Sequence, residues 1–596
     1  MSWEVPIMPS RTSFFKTLLK SDWRHYWPVA FVYTGAWIIA QPVSLWQNTR
    51  YQNPLPMALR MESQMANHQA AIWLCAFCAI CAAMAVWSYL MKSASTQFMH
   101  ALPATRRIQF AAHFTAGFSM MTAAHILTFF ATIGVMALRG AALWGAALRW
   151  LAVAELTALF FFGLATICCI ITGWLLAAPV FYGGLNCVFI VLASLVQELM
   201  VQCRYWGYHR GDFPGIIHWL TPVFRMTEHY RGTYRFLDNY DYGMYVANPK
   251  TLSVAAIYGA VGLVLAVCAY LLYEKRPSET AGDAVSFRWL RPIVKWVISL
   301  CGGMGLGLFF VSLFLGEQNI VLCGASICIF GILCFIAVEM LLQKSYRVFR
   351  RGTFLGCGAL CAVLVALCAV LNADVFGYQD YLPPAEKVDR AFLYTGTGPQ
   401  DTAMLTDDAH IQQILELHQA LAEMPEDERW IDRNDGTGSE TYFYLDLSYT
   451  MKNGASVYRI YNFVLPEGGE IHHMLNELYN DPTMRQQLIF PEYEAGGEAT
   501  VTGGSVDLYE YDEQYGAHRE ERMDLTKEQA KELYVTLGQE ARERGTWDVT
   551  DNRLQAEIDF ENYADQGFFV YTHVNLDCCP KTLQLLEEYG MMTPEG

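Results

Sequence analysis

Long apolar runs fill the first 373 residues, and shorter alternating or helically spaced patterns replace them afterwards. A hydrocarbon core about 30 Å thick is crossed by about 20 apolar residues in helix. Nine stretches meet that requirement, near 26–46, 70–91, 110–138, 150–175, 179–202, 252–273, 292–316, 320–342 and 353–373. The apolar region over 150–202 is too long for one crossing, and Ala177, Ala178, Pro179, Gly183 and Gly184 predict a turn between two helices there. Ahead of the first span, Phe14, Phe15, Leu18 and Leu19 recur at helical spacing, with Lys16, Lys20 and Arg24 on the other side. That pattern predicts an interfacial amphipathic helix within residues 1–25; the plainer reading is a basic flank. The first span starts late and is long, and Pro42-Val43-Ser44 is a poor cleavage site, so it is expected to remain as an anchor.

Beyond residue 374 the periods shorten. YFYLDLSYTMKNGASVYRIYNFVL is two alternating runs around Asn453-Gly454, a hairpin signal. DDAHIQQILELHQALAEM and TKEQAKELYVTLGQEARER carry the helical period. VTGGSVDLYEY, RLQAEIDF and FFVYTHVNL read as further strands. The expected fold is a polytopic α-helical membrane protein of about nine transmembrane helices with a C-terminal α+β domain around an antiparallel sheet. One domain and two small ones are both open for that part.

Charge divides the chain at the same place. Residues 1–373 hold 26 Lys+Arg and 14 Asp+Glu, whereas 374–596 hold 15 and 44. The acidic part argues against nucleic acid, whose phosphates need clustered Lys and Arg. With the N-terminus inside, the connections 1–25, 92–109, 274–295 and 343–352 carry 16 basic residues, against 10 on the other side before residue 374. Basic excess marks the cytoplasmic side, so nine spans put the acidic domain outside. Of 17 cysteines only Cys578 and Cys579 fall in that domain, which excludes a disulfide framework there. They are expected as two partly buried thiols, and His472-His473 as a surface pair.

The connection after the second span reads MKSASTQFMHALPATRRIQF. Met99, His100 and Leu102 precede Pro103, and Thr105 is placed to cap a helix opening with Arg106 and Arg107. The result is a short amphipathic helix, a proline turn and a second helix start at the inner face; the plainer reading is a basic loop that only sets topology. This loop, the amphipathic N-terminus and six spans to residue 273 resemble type-2 ABC transporter permeases. Leu102, Pro103, Ala104, Thr105 and Arg106 match the leucine-proline-x-(serine or threonine)-arginine pattern of their coupling helix, and LLYEKRPSETAGDAVSF after the sixth span resembles a bacterial subgroup with extra spans and an extracytoplasmic C-terminal domain. The resemblance implies an interfacial helix over 1–25, a six-helix permease core over 26–273, a cytoplasmic linker with three further spans over 274–373, and an extracytoplasmic domain over 374–596. It implies a bacterial cell-membrane location, docking of an ATP-binding cassette subunit on the 99–110 loop, and a second permease subunit, identical or related. It also implies short re-entrant outer helices in the aromatic-rich 203–250 loop.

No G-x-x-x-x-G-K-[ST] loop is present, so ATP and Mg are expected on the partner subunit and no cofactor on this chain. Gly303-xxx-Gly307 and Gly352-xxx-Gly356 suit close helix packing instead. Ionisable residues inside spans are candidates for function by default; His125 and Glu155 lie deepest, as intramembrane polar contacts for substrate or for a neighbouring helix. The outer domain lacks G-x-S-x-G, H-E-x-x-H and CxxC, and Asp432–Glu440 departs from the EF-hand loop. No metal site is expected. The leading expectation is a non-catalytic exporter permease subunit in contact with lipid. Its rivals are a membrane-anchored sensor with an outer ligand-binding domain and a polytopic membrane enzyme, for which His125 and Glu155 are the one polar pair on offer.

Overall fold

Where apolar residues run on for twenty or more, the chain is helical, because lipid offers backbone groups no other partner. The computed structural model describes residues 11–50, 55–211, 213–237, 240–314, 319–394, 402–425, 429, 442–465, 468–491, 493–511, 518–549, 554–562 and 568–591; Asp432–Glu440 lies outside them. Helices α1 (Arg11–Ile38), α2 (Ser44–Asn48), α3 (Met57–Met65), α4 (Gln69–Trp87), α5 (Ser93–Ala101), α6 (Arg106–Leu138), α7 (Trp144–Ile171) and α8 (Ala177–Gln202) come first. Short α9 (Gly215–Leu220) and α10 (Pro222–Tyr230) precede the hairpin β1 (Thr233–Leu237) and β2 (Tyr240–Val246). Then follow α11 (Thr251–Lys275), α12 (Leu290–Phe314), α13 (Ile320–Gln343) and α14 (Arg351–Asn372). Among the described residues nine helices are long and apolar enough to cross a membrane, the first running from Phe14 to Asn48 through a π turn at Ile39–Val43.

Two expected boundaries move. The amphipathic segment is not a separate element: from Arg11 it is the opening of α1. Along it Phe14, Phe15, Leu18 and Leu19 are half-buried and Lys16 and Lys20 exposed. That face turns onto α6, where Trp23 Nε1 donates to Ser119 Oγ (2.9 Å) and Asp22 meets His113 (2.6 Å). The break between α7 and α8 falls at 172–176, and Pro179 sits in the first turn of α8, where its missing N–H costs nothing. Gly303 and Gly307 do pack closely, against Gly331 and Ile327 of α13; of the second pair Gly356 lies against Phe335 of α13, whereas a Cβ on Gly352 would touch nothing. Gly163 and Gly262 bring α7 and α11 together in the same way, a contact between helices far apart in sequence.

Connections of this helical unit gather at two ends. At one, Ser286 N donates to Ile171 O, Gly173 and Gly282–Asp283 exchange backbone bonds, Arg276 reaches Leu90 O and Cys169 O, and Lys344 pairs with Asp283. At the other, His68 N donates to Tyr230 O, Tyr245 N to Ser63 Oγ, and Arg139 to Trp46 O. Successive membrane-length helices therefore alternate in direction, as crossings must.

The rest of the chain is a second compact unit, Met200–Asp212 with Ala369–Gly596. Its first lobe runs β3 (Val388–Tyr394), β4 (Thr402–Leu405), α15 (Asp408–Ala422), β5 (Tyr442–Met451), β6 (Ser456–Val464), α16 (Glu470–Tyr479) and α17 (Pro482–Ile489). Its second runs β7 (Val501–Tyr511), β8 (His518–Leu525), α18 (Lys527–Ala541), β9 (Leu554–Asn562), β10 (Phe568–Asn575) and α19 (Pro580–Glu588). Sheet orders β4-β3-β5-β6 and β8-β7-β9-β10 are the same path, ββαββα, walked twice, every pairing antiparallel. Each sheet closes over its own apolar core. The turn at Asn453-Gly454 joins β5 to β6 as expected, with Gly454 at φ +81°, a conformation glycine adopts without strain.

Candidate functional site

The 88–109 connection is built by helix ends. Thr105 stands at the N-cap of α6, yet its side chain makes no capping bond and is exposed. Gln109 holds the turn instead, its Nε2 donating to Met99 O (2.6 Å) and its Oε1 accepting from Tyr273 Oη (3.0 Å). Arg106 points inward: Nη1 donates to the carbonyls of Tyr273, Glu274 and Arg276 (3.3, 2.9 and 2.8 Å). A cation on the last carbonyls of α11 satisfies acceptors that a helix C-terminus leaves open and complements its dipole. Arg107 points outward and pairs with Glu274 at 2.9 Å. Met99, His100 and Leu102 are half-buried, while Phe98, Pro103, Thr105 and Arg107 form an exposed face, Phe98 at 66 %. Burial first, then Arg106 and Arg276, lowers the pKa of His100, which favours a neutral ring. Arg276 is buried beside this turn, and burial brings its pKa down only to about 10, so it remains charged.

Deeper in the bundle the fold brings His125 and Glu155 together. His125 Nδ1 lies 3.0 Å from Glu155 Oε1, and its Nε2 lies 2.7 Å from Tyr33 Oη. Thr122 Oγ1 donates to Glu155 Oε2 (3.0 Å), and Tyr33 Oη is 3.3 Å from Cys75 Sγ. Trp37 and Trp150 stand edge-on to the imidazole. His125 is fully buried, whereas the Glu155 side chain keeps a quarter of its exposure. This carboxylate–imidazole–phenol line joins α7, α6 and α1, and Cys75 adds α4 beside the phenol.

Some contacts escaped the sequence reading. Asp22 with His113 is a second buried acid–imidazole pair between α1 and α6; the available signal was that Asp22 falls on the Leu18–Leu19 face. His472 is not a surface residue: Nε2 is 2.7 Å from Asp548 Oδ1 and Nδ1 accepts from Gly468 N, while His473 is exposed. Cys578 and Cys579 are buried free thiols, 3.6 Å apart. The 203–211 stretch packs into the C-terminal unit. Trp206 is 2 % exposed inside the first lobe's core, donates from Nε1 to Leu421 O (2.7 Å) and lies against Tyr461, and Gly207 O accepts from Ile460 N at the edge of β6. Tyr205 Oη donates to Leu371 O, in the last turn of α14. No known family model, curated protein or solved structure matches this chain.

Proposed function

We propose that this chain is the membrane-spanning permease subunit of an ABC-type exporter in a bacterial cell membrane. The observation that carries the reading is the division of labour at Arg106 and Arg107. One arginine locks the turn to the end of α11, so a push on the turn reaches the bundle; the other, with Phe98 and Pro103, leaves a face open for a partner. The partner is a separate ATP-binding cassette subunit that brings ATP and Mg, and two permease subunits form the path. Helices α8 and α14 both depart from the end that carries this turn. With the turn cytoplasmic by basic excess, they deliver the chain to the extracytoplasmic side at Met200 and Ala369, and α9 and α10 act as the short outer helices.

Phe98→Glu with Arg107→Glu changes only exposed side chains. The double variant is expected to insert and melt normally but to lose co-purification with the ATPase and stimulation of its turnover. Arg106→Glu is expected to lower thermal stability as well, because it uncaps α11. Normal stimulation in the Phe98/Arg107 variant would remove the docking assignment. A reporter fused after Leu371 that works only in the cytoplasm would reverse the topology.

A further inference from the structure

Between α15 and α16 the first lobe holds a cavity of about 640 Å³, within the range of about 300–1,000 Å³ typical of ligand sites. Its floor is Met424, Met474 and Ile471, and its rim carries Glu416, Glu423 and Glu470. Thioether and branched aliphatic side chains make an adaptable apolar surface. The three carboxylates have no ion-pair partner among the described residues; Glu416 and Glu423 receive only amide donors, from Gln412 and Gln419. Uncompensated negative charge around an apolar floor suits a ligand that is both cationic and apolar.

The second lobe supplies an internal control. Counted from the N-caps Asp407 and Thr526, Leu421 and Glu540 occupy the same place on α15 and α18. Glu540 reaches the first turn of α19, where its carboxylate accepts from Lys581 N, Thr582 N and Thr582 Oγ1 (2.8, 2.9 and 2.7 Å). In the first lobe Leu421 enters the core, and the N-cap of α16, Gly469, offers no side chain. The repeated frame closes this helix pair with its own carboxylate in one lobe and leaves a cavity in the other.

We propose that the α15–α16 cavity binds a basic amphipathic peptide, whose cationic groups meet Glu416, Glu423 and Glu470 and whose apolar side chains cover Met424 and Met474. The same last turn of α15 holds the segment that follows α8: Leu421 O accepts from Trp206, and Arg429, over the Trp206 ring, donates to Ala422 O and Met424 O. An occupant therefore bears on the turn that anchors Met200–Asp212. Binding is independent of the exporter reading, since it needs no ATPase partner.

The test is fluorescence anisotropy of a labelled decapeptide of alternating lysine and leucine, titrated with the full chain in uncharged detergent. Saturable binding is expected. Glu416→Gln with Glu423→Gln should weaken it about ten-fold or more, since each lost charge is within a few ångströms of the cation. Glu528→Gln with Glu588→Gln removes the same charge from exposed positions of the second lobe and should change affinity less than about two-fold. Equal weakening by both pairs would mean a diffuse field without a site; no binding, or binding that neither pair weakens, would equally overturn the proposal.

Discussion

The two lobes of the C-terminal unit share one chain path but not one solution to it. From their N-caps, α15 buries Ile411, Ile414, Leu415, His418, Leu421 and Ala422, and α18 buries Ala530, Leu533, Tyr534, Leu537, Glu540 and Ala541 at the same offsets. The frame thus demands an inward stripe at helical spacing, and it tolerates different side chains along the stripe wherever local partners exist. His418 stands opposite Leu537 in this comparison, and Leu421 opposite Glu540. The first lobe also takes Trp206 into its core, from a segment that the chain supplies between two apolar helices. Equivalent backbones therefore do not imply equivalent energetics, and four substitutions probe the difference.

The largest effect is expected from Trp206→Ala. Removing a fully packed indole from a core costs about 3–5 kcal/mol, so the first lobe should melt earlier and become protease-sensitive while the second keeps its transition. A single unchanged melt would show that the segment is only laid on the lobe. Next is Glu540→Leu, which copies the first lobe into the second. It leaves the Lys581 and Thr582 donors without their carboxylate, at about 2–3 kcal/mol, and should destabilise the second lobe alone. If stability is retained, the bonded carboxylate is not what closes α18 onto α19.

The reciprocal change, His418→Leu, concerns pH. Burial, followed by the nearby Arg459 charge, pushes the His418 pKa down from 6.5 to about 3. The unfolded chain then binds the proton more readily than the folded one, so stability falls as pH drops from 6.5 towards 3. At pH 5 the penalty is about 2 kcal/mol. His418→Leu should remove that acid sensitivity; its melting temperature relative to the parent should rise between pH 7 and pH 5, and a constant difference would contradict the assignment.

The smallest effect has the opposite sign. His410 bridges two helix caps, with Nδ1 2.7 Å from Asp407 of α15 and Nε2 3.0 Å from Asp481 of α17. Burial opposes its charge, but the bonds to the two aspartates outweigh it and raise the pKa. Stability from this bridge is present below the unfolded value and lost as pH rises through the folded one. For a partly exposed pair it is under about 1 kcal/mol. His410→Ala should therefore cost more at pH 6 than at pH 9, and equal losses would reduce the bridge to packing.

Much of this architecture is readable along the chain. Membrane-length helices are a matter of local composition, α15 and α18 of period, and the β5–β6 hairpin of one Asn-Gly step. Strands β4 and β8 are harder: β4 is only four residues long, and HREERMDL is charged where an edge of the sheet faces water, which discourages pairing with other chains. At the candidate sites, His125 and Glu155 were visible as ionisable residues in apolar runs, but their contact depends on how α6 meets α7. The inward turn of Arg106 and outward turn of Arg107 could not be read at all: adjacent residues on a helix point about 100° apart, and only the position of α11 decides which one finds carbonyls.

By itself, then, the sequence determined which stretches are apolar enough to cross a membrane, where the acidic α+β part begins, and which of its segments are helix or hairpin, because these depend on neighbours within about twenty residues. Only the tertiary structure decided that Met200–Asp212 joins the C-terminal unit, that His472 is buried against Asp548, and that the two lobes repeat one path while one of them keeps a cavity. Those outcomes rest on contacts between residues tens to hundreds of positions apart, where packing and hydrogen-bond geometry, not local pattern, select the partner.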